Sequence, residues 1–294
     1  MPRNISLKGR IHQFSGVNSV SRANSLVAQQ AMSHQIPKLI HQTYMDYAQL
    51  PESLQNNIEH LQRLNPTWKY RFYSDEDVDT YIATKAPGAW NIVKRIAPGY
   101  TVAKIDVFRY LLLYYEGGVY LDIKSSATRP FDEILADTDR FIVSTWPLDL
   151  DWGEHAEIPD PHREFQQWFI ISARGHPFLK YVIDNVLNNL VRYIPALHGV
   201  GKTGVLRLTG PIAFTIPIRR HLARYPHRQV VDHEELGLVY SVFDSHSFKR
   251  EGLFRTHYSE LTSPIVETRG VAKAISYSLD LLRSIERKLA IGRQ

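Results

Sequence analysis

Apolar positions along the chain switch between two periods, and the switches mark the elements. Residues 38–42 (KLIHQ) read as a first strand, with Pro37 at its opening edge, where a missing backbone donor is tolerated. Leu54, Ile58, Leu61 and Leu64 recur at helical spacing. They predict a helix over 51–64 that ends at Asn65-Pro66, because the residue before a proline disfavours helical backbone. Residues 68–74 (WKYRFYS) predict a second strand, and Asp75-Glu76-Asp77 the acidic first turn of a short helix. A strong helix follows over 103–115, with Val107, Tyr110, Leu111 and Tyr114 in one stripe. Gly117-Gly118 breaks it, and 119–122 (VYLD) reads as a short buried strand. Further on, the pattern predicts a strand at 140–146, a strand or short helix at 165–172, and helices at 177–193 and 212–223. Late strands are expected at 230–231 and 238–240. An amphipathic helix is expected over 271–289, with Ile275, Leu279, Leu282, Ile285 and Leu289 on its apolar face. Strands alternating with helices predict an α/β fold.

Composition adds limits. The chain has 294 residues, 44% hydrophobic and 22% charged, enough for a large buried core. No apolar run is long enough for a transmembrane helix. The first 35 residues lack the apolar stretch of a signal peptide. Cysteine is absent, which excludes disulfides, thiol nucleophiles and cysteine metal sites. A reducing cytoplasm is the expected location, with the inner face of a membrane as a peripheral site.

Charge divides the chain in three. Residues 1–35 carry Arg3, Lys8, Arg10 and Arg22 and no acid, and are expected to be mostly mobile, with a short helix near 23–32. Residues 268–294, a basic C-terminal helix, also carry a net +4. The overall charge is +5, so the body between them, 36–267, is acidic at −3. A nucleic-acid-binding face on the body is therefore not expected. The basic helix is suited to an anionic lipid surface or to packing on the body.

The densest chemistry lies in 103–124 (AKIDVFRYLLLYYEGGVYLDIK). Asp106 and Arg109, three apart, share one helix face. Asp122 sits at the carboxyl end of a strand, where open α/β sheets bind ligands. A carboxylate there can accept hydroxyl hydrogen bonds or approach a metal, and a guanidinium offers a planar fork to hydroxyl or phosphate oxygens. A helix surface pair and a turn-capping Asp would present the same letters.

In its order and spacing, this stretch resembles glycosyltransferase family 32, whose sugar-binding region carries a DXD motif, and the related large bacterial glucosylating toxins. The resemblance rests on Asp106-Val107-Phe108-Arg109-Tyr110 and Gly117-Gly118-Val119-Tyr120-Leu121-Asp122. Ile36 to Gln42, Pro66-Thr67-Trp68 and Tyr73-Ser74-Asp75 accompany them, with weaker support from Gln167-Trp168-Phe169, His176-Pro177-Phe178, Thr209-Gly210-Pro211 and His257-Tyr258. It implies a GT-A fold (a Rossmann-like mixed sheet flanked by helices) with a C-terminal helical addition. It also implies a nucleotide-sugar donor, UDP- or GDP-linked, a glycan or lipid-linked acceptor, and retention of anomeric configuration. By the same resemblance Asp106 and Arg109 bind the donor sugar, and Asp122, the first Asp of DXD, contacts ribose, sugar or metal. Ile40, His41, Gln42, Tyr73 and Tyr120 belong to the donor pocket, and His257 lies near the diphosphate.

One departure matters. The second Asp of DXD is Lys124. A protonated lysine cannot ligate a metal. Either its ammonium takes the place of a metal charge at the leaving group, or it points away and Asp122, His257 and the diphosphate hold Mn²⁺ or Mg²⁺. A third alternative is a non-catalytic relative that binds nucleotide sugar or glycan. A weakened or absent metal requirement is expected.

Gly199 to Gly204 (GVGKTG) satisfies G-x-G-x-x-G but follows a helix rather than a strand, so a flexible loop near the acceptor is expected. Thirteen histidines show no spaced metal pair and are expected to be scattered over the surface. Residues 146–163, acidic and holding two Trp, have the composition of a sugar-binding or acceptor-covering loop and equally of a plain surface excursion.

Overall fold

A computed structural model of the chain describes residues 26–147, 149–150, 152–159, 163–243, 258–267 and 275. In chain order the elements are β1 (Leu39–Thr43), α1 (Glu52–Leu64), β2 (Lys69–Tyr73), α2 (Asp75–Lys85), α3 (Pro87–Val93) and α4 (Thr101–Tyr115). Then come β3 (Gly118–Leu121), β4 (Ser126–Ala127), α5 (Phe131–Ile134), β5 (Phe141–Val143) and β6 (Phe169–Ser172). The chain continues through α6 (Pro177–Val191), α7 (Pro195–His198), α8 (Gly201–Leu208), α9 (Pro211–His221), β7 (Arg228–Gln229) and β8 (Leu238–Val239).

Six strands form one sheet in the order β2-β1-β3-β6-β5-β7, and β4 pairs with β8 beside it. β1 runs parallel to β2 and β3, β6 is antiparallel to both β3 and β5, and β7 is parallel to β5. Every strand of the six but β6 therefore points its carboxyl end to the same edge. The expected mixed α/β sheet flanked by helices is found.

Alternation along the strands splits the core. Tyr120, Phe141, Val143 and Ile170 face α4, α6, α8 and α9. Val119, Leu121, Ile142, Phe169 and Ile171 face the other way, toward Leu61 of α1 and Phe131 and Ile134 of α5. This period-2 division is what a sheet covered on both faces demands.

Several expectations change. From Asp106 to Tyr114, α4 has no solvent side: every residue there is buried, because this part of the helix lies between the sheet and α6. The chain joins the body before residue 36, since Val27 is buried in the core and the Gln30 amide donates to the Tyr114 hydroxyl at 2.8 Å. No helix forms over 26–35; the rest of the 1–35 segment lies outside the described residues. Gly201 opens α8, so 199–204 is largely helix N-terminus rather than loop, and the Gly201 amide donates to the Tyr100 hydroxyl. The expected strand at 230–231 sits at Arg228–Gln229, and of 165–172 only Phe169–Ser172 is strand. The 268–294 helix, apart from Ile275, falls outside the described residues. Among the described residues no helix is long and apolar enough to cross a membrane.

Candidate active site

The turn out of α4 positions the site. Gly117 and Gly118 have φ of 71° and 104°. A Cβ on Gly118 would stand 2.6 Å from the Leu39 carbonyl oxygen, and one on Gly117 2.7 Å from the Arg174 nitrogen. Glycine alone lets the chain leave the helix and insert β3 between β1 and β6. Asp122 then follows at the carboxyl edge, its amide donating to the Trp168 carbonyl at 2.8 Å.

The turn after Asp122 is held from both sides. Gln42 Nε2 donates to the Asp122 carbonyl at 3.1 Å, and Asn57 Nδ2 to the Ser125 carbonyl at 2.9 Å. Tyr70 donates to Gln42 Oε1, which orients the amide. Ser125 Oγ donates to the Tyr240 carbonyl, and the Val242 amide to the Lys124 carbonyl.

Arg109 is the centre of charge. Its side chain is only 6% exposed. Nη1 lies 3.1 Å from Asp122 Oδ1 and donates to the Gln167 carbonyl at 2.9 Å; Nη2 lies 3.6 Å from Asp106 Oδ1. The guanidinium sits over the Tyr120 ring, 4.6 Å from its centre. Burial opposes its charge, but Tyr120, Asp122 and Asp106 outweigh burial and hold it protonated.

Asp106 is buried and fully engaged. Thr209 Oγ1 donates to Oδ2 at 2.9 Å and Gln167 Nε2 to Oδ1 at 3.3 Å. Tyr110 ties these partners together by bridging to Gln167 Oε1 and the Thr209 carbonyl. Burial pushes the Asp106 carboxyl up to about 6, against the pull of Arg109 and Thr209. Asp122 differs: its side chain is 28% exposed, so one carboxylate of the pair faces the open edge.

The structure thus brings together Asp106, Arg109, Tyr120 and Asp122, which come from two elements, and adds Gln167 and Thr209. Their motifs offered only weak signals, because each acts on a helix far away in sequence. Tyr258 also borders the cluster: burial, then Asp106, Tyr240 and Asp122, push its hydroxyl up to about 12.

Other expected donor residues are placed differently. β1 is covered on both faces, so Ile40 and His41 are fully buried. Ile40 packs in the core. His41 bridges the Tyr73 hydroxyl and the Gly117 carbonyl, and burial lowers its pKa to about 4, leaving it neutral. His41 thus supports the turn out of α4, and Gln42 supports the Asp122–Ser125 turn. His176 is likewise buried, capping α6 through the Phe178 amide, and so is His233, so the picture of surface histidines fails at His41, His176 and His233. His257 lies outside the described residues.

Lys124 lies against Tyr240. Its Nζ sits over the Tyr240 ring, 4.0 Å from the centre. For a divalent cation, the described residues supply Asp122, with Oδ1 already paired to Arg109, and an ammonium at the second DXD position. No group of three or more acidic or histidine side chains among the described residues could hold a metal ion. These residues do not form a ligand set for one.

Residues 51–141 match the family model of the glycosyltransferase sugar-binding region containing a DXD motif. The chain carries that region, and α1 to α5, with Asp106, Arg109 and Asp122, lie inside it. The chain is similar to inositol phosphoceramide mannosyltransferase 3 of Schizosaccharomyces pombe, 30% identical over 175 residues, which cover 59% of this chain and 44% of the relative. It is similar to the initiation-specific alpha-1,6-mannosyltransferase of Candida albicans, 29% identical over 202 residues, covering 62% and 52%. The chain spans about half the length of these curated relatives. Among solved structures it aligns with the PaToxG glycosyltransferase at a TM-score of 0.45 and 18% identity, over 82% of this chain and 84% of that one.

Proposed function

We propose that this chain is a retaining hexosyltransferase, moving a hexose, mannose by its curated relatives, from a UDP- or GDP-linked donor to a hydroxyl of a glycan or lipid-linked acceptor. The observation that carries the reading is the Asp106–Arg109–Asp122 cluster at the carboxyl edge of β3, inside the matched sugar-binding region. A fork held charged between two carboxylates, one buried and one facing the edge, can grip sugar hydroxyls in one orientation, which lowers the entropic part of the barrier.

In this reading Arg109 and Asp106 orient the donor hexose, and Asp122 accepts hydroxyl hydrogen bonds. Gln42, Tyr73 and Tyr120 serve the donor pocket by shaping its walls, with His257 near the diphosphate. The bond between the anomeric carbon and the diphosphate oxygen breaks, and the nucleoside diphosphate leaves with the electron pair. The acceptor oxygen attacks on the same face, and its proton passes to the departing phosphate oxygen. The Lys124 ammonium counters the negative charge that grows there. No step is assigned to a metal. The basic C-terminal segment supports a peripheral membrane contact.

The deciding experiment is nucleotide release across UDP- and GDP-hexoses, each with Mn²⁺ and with chelator. Release from one donor is expected. Tight donor binding with no release in any acceptor mixture would favour the non-catalytic alternative. Lys124→Met is expected to lower kcat about tenfold to hundredfold with little change in donor affinity. Unchanged kcat would remove the ammonium from the reaction.

Thr209→Val removes a hydrogen bond that lowers the Asp106 pKa. The acid limb of donor turnover, expected near pH 6 in the wild type, should move to higher pH in this variant. A coincident pH profile would show that Asp106 protonation does not govern the rate.

A further inference from the structure

Beyond β5 the same sheet edge carries a cluster of rings. β5 is parallel to β3, so Trp146, just past its end, lies at the edge where Asp122 follows β3, and Trp168 precedes β6 there. Trp146 meets Trp152 edge-to-face at 5.0 Å and Tyr240 at 5.1 Å; Tyr240 meets Trp168 at 5.4 Å and Trp152 at 6.1 Å. Trp146 and Trp168 are buried, whereas Trp152 is 50% exposed. The cluster runs into the site: Lys124 caps the Tyr240 ring, and Tyr258 is close enough to Tyr240, Asp106 and Asp122 to be shifted by all three.

The described residues flanking Trp152 are held by hydrogen bonds. Trp146 Nε1 donates to Glu164 Oε1 at 2.7 Å, and His155 engages the other oxygen. Arg163 donates to the Pro147 and Leu150 carbonyls. Gly153 has φ 81°, and a Cβ there would stand 2.8 Å from Trp146 Cδ1 and 2.9 Å from Glu164 Cγ. The Glu164 amide closes back on the Gly153 carbonyl at 2.8 Å. A half-exposed indole whose described neighbours are held by these hydrogen bonds presents its surface at a reduced ordering cost on binding.

We propose that Trp152, seated on Trp146 and Tyr240, is the stacking platform for the acceptor, and that its ligand is a polyhydroxylated six-membered ring, a pyranose or a cyclitol. This rests on the hexosyltransferase reading. An indole offers a large apolar face with a negative quadrupole, suited to the C–H face of such a ring. The neighbouring charges of Lys124 and Asp122 are suited to its hydroxyls. Position selects the acceptor over the donor. The sheet's crevice lies beyond the strand ends. The Asp106–Arg109 clamp lies at its middle, the expected nucleotide half lies toward β1 and β2, and the platform stands on the β5 half.

The test uses the full chain, the Trp152→Ala and Trp152→Phe variants, and two ring probes, methyl α-mannoside and myo-inositol. Binding is read by saturation-transfer NMR. At least one probe is expected to bind the wild type, about tenfold more weakly to Trp152→Ala, with partial recovery in Trp152→Phe. Mannoside binding identifies a pyranose site and inositol binding a cyclitol site. Equal binding to wild type and Trp152→Ala overturns the proposal, as does binding of neither probe to the wild type. Weaker binding of UDP or GDP to Trp152→Ala by calorimetry would also overturn it, by placing the nucleotide base on the platform. A wild type that binds a ring probe but releases nucleotide from no donor would overturn the transferase reading alone.

Discussion

Arg109→Met is expected to abolish donor turnover and to destabilise the fold at the same time. The guanidinium is the one cation between Asp106 and Asp122 among the described residues, and it also satisfies the Gln167 carbonyl. Its loss leaves two carboxylates and a carbonyl oxygen facing each other in a space from which water is mostly excluded. Breaking a buried pair in this way costs about 3–5 kcal/mol. Protonation relieves part of this, since the Asp106 carboxyl already sits near 6. The loss of stability should therefore be larger at pH 8 than at pH 5, and denaturant titration at the two values reads it. Turnover should fall by about a thousandfold, measured by nucleotide release where the variant is still folded. Arg109→Lys keeps a charge but not the planar fork, so it should recover part of the stability and little of the turnover. If Arg109→Met kept near-normal release, the cluster would have no part in handling the donor.

Asp106→Asn is expected to separate the two effects. Asn matches Asp in shape, and its amide can donate to the Thr209 hydroxyl while its oxygen accepts from Gln167. Turnover should fall about a hundredfold or more, because one of the two charged partners of Arg109 is gone. Stability should hold at neutral pH. Burial raises the Asp106 pKa from its ordinary 3.8 to about 6 in the folded state. The stability linked to this group is therefore fully present below about pH 4 and is lost as pH rises through 6. The neutral Asn has no such loss, so the pH dependence of stability between 4 and 6 should flatten. Thermal unfolding across that range checks the sign. A variant that melts far below the wild type at pH 7 would show that the carboxylate is structural, and full turnover would remove it from the reaction.

The sequence and the structure agree most closely where forces act over a few residues. The helical spacing and end of α1, the strand before Asp122 and the Gly117-Gly118 turn were all legible, because periodicity, proline and paired glycines act within a turn or two. The Asp106-x-x-Arg109 spacing was legible for the same reason. The clash that forbids a Cβ at Gly118 was not, because it comes from Leu39, on a strand far away in sequence.

The histidines and the glycine-rich stretch show the other side. Nothing near His41 in sequence says that both faces of its strand are covered, so its burial and neutrality follow only from the sheet order. Gly199 to Gly204 reads as loop from composition, yet helices on either side and the Tyr100 hydroxyl turn its second half into the start of α8. Taken alone, then, the sequence determined the main strands and long helices, the α/β class and the Asp106, Arg109 and Asp122 constellation, since these follow from local periodicity and from one short motif. Tertiary structure alone decided that Thr209 and Gln167 hold Asp106, that Lys124 lies on Tyr240, and that Trp152 stands at the same edge as Asp122. Those pairings depend on which strands neighbour which and in what direction, and that order is set by burial summed over the whole sheet.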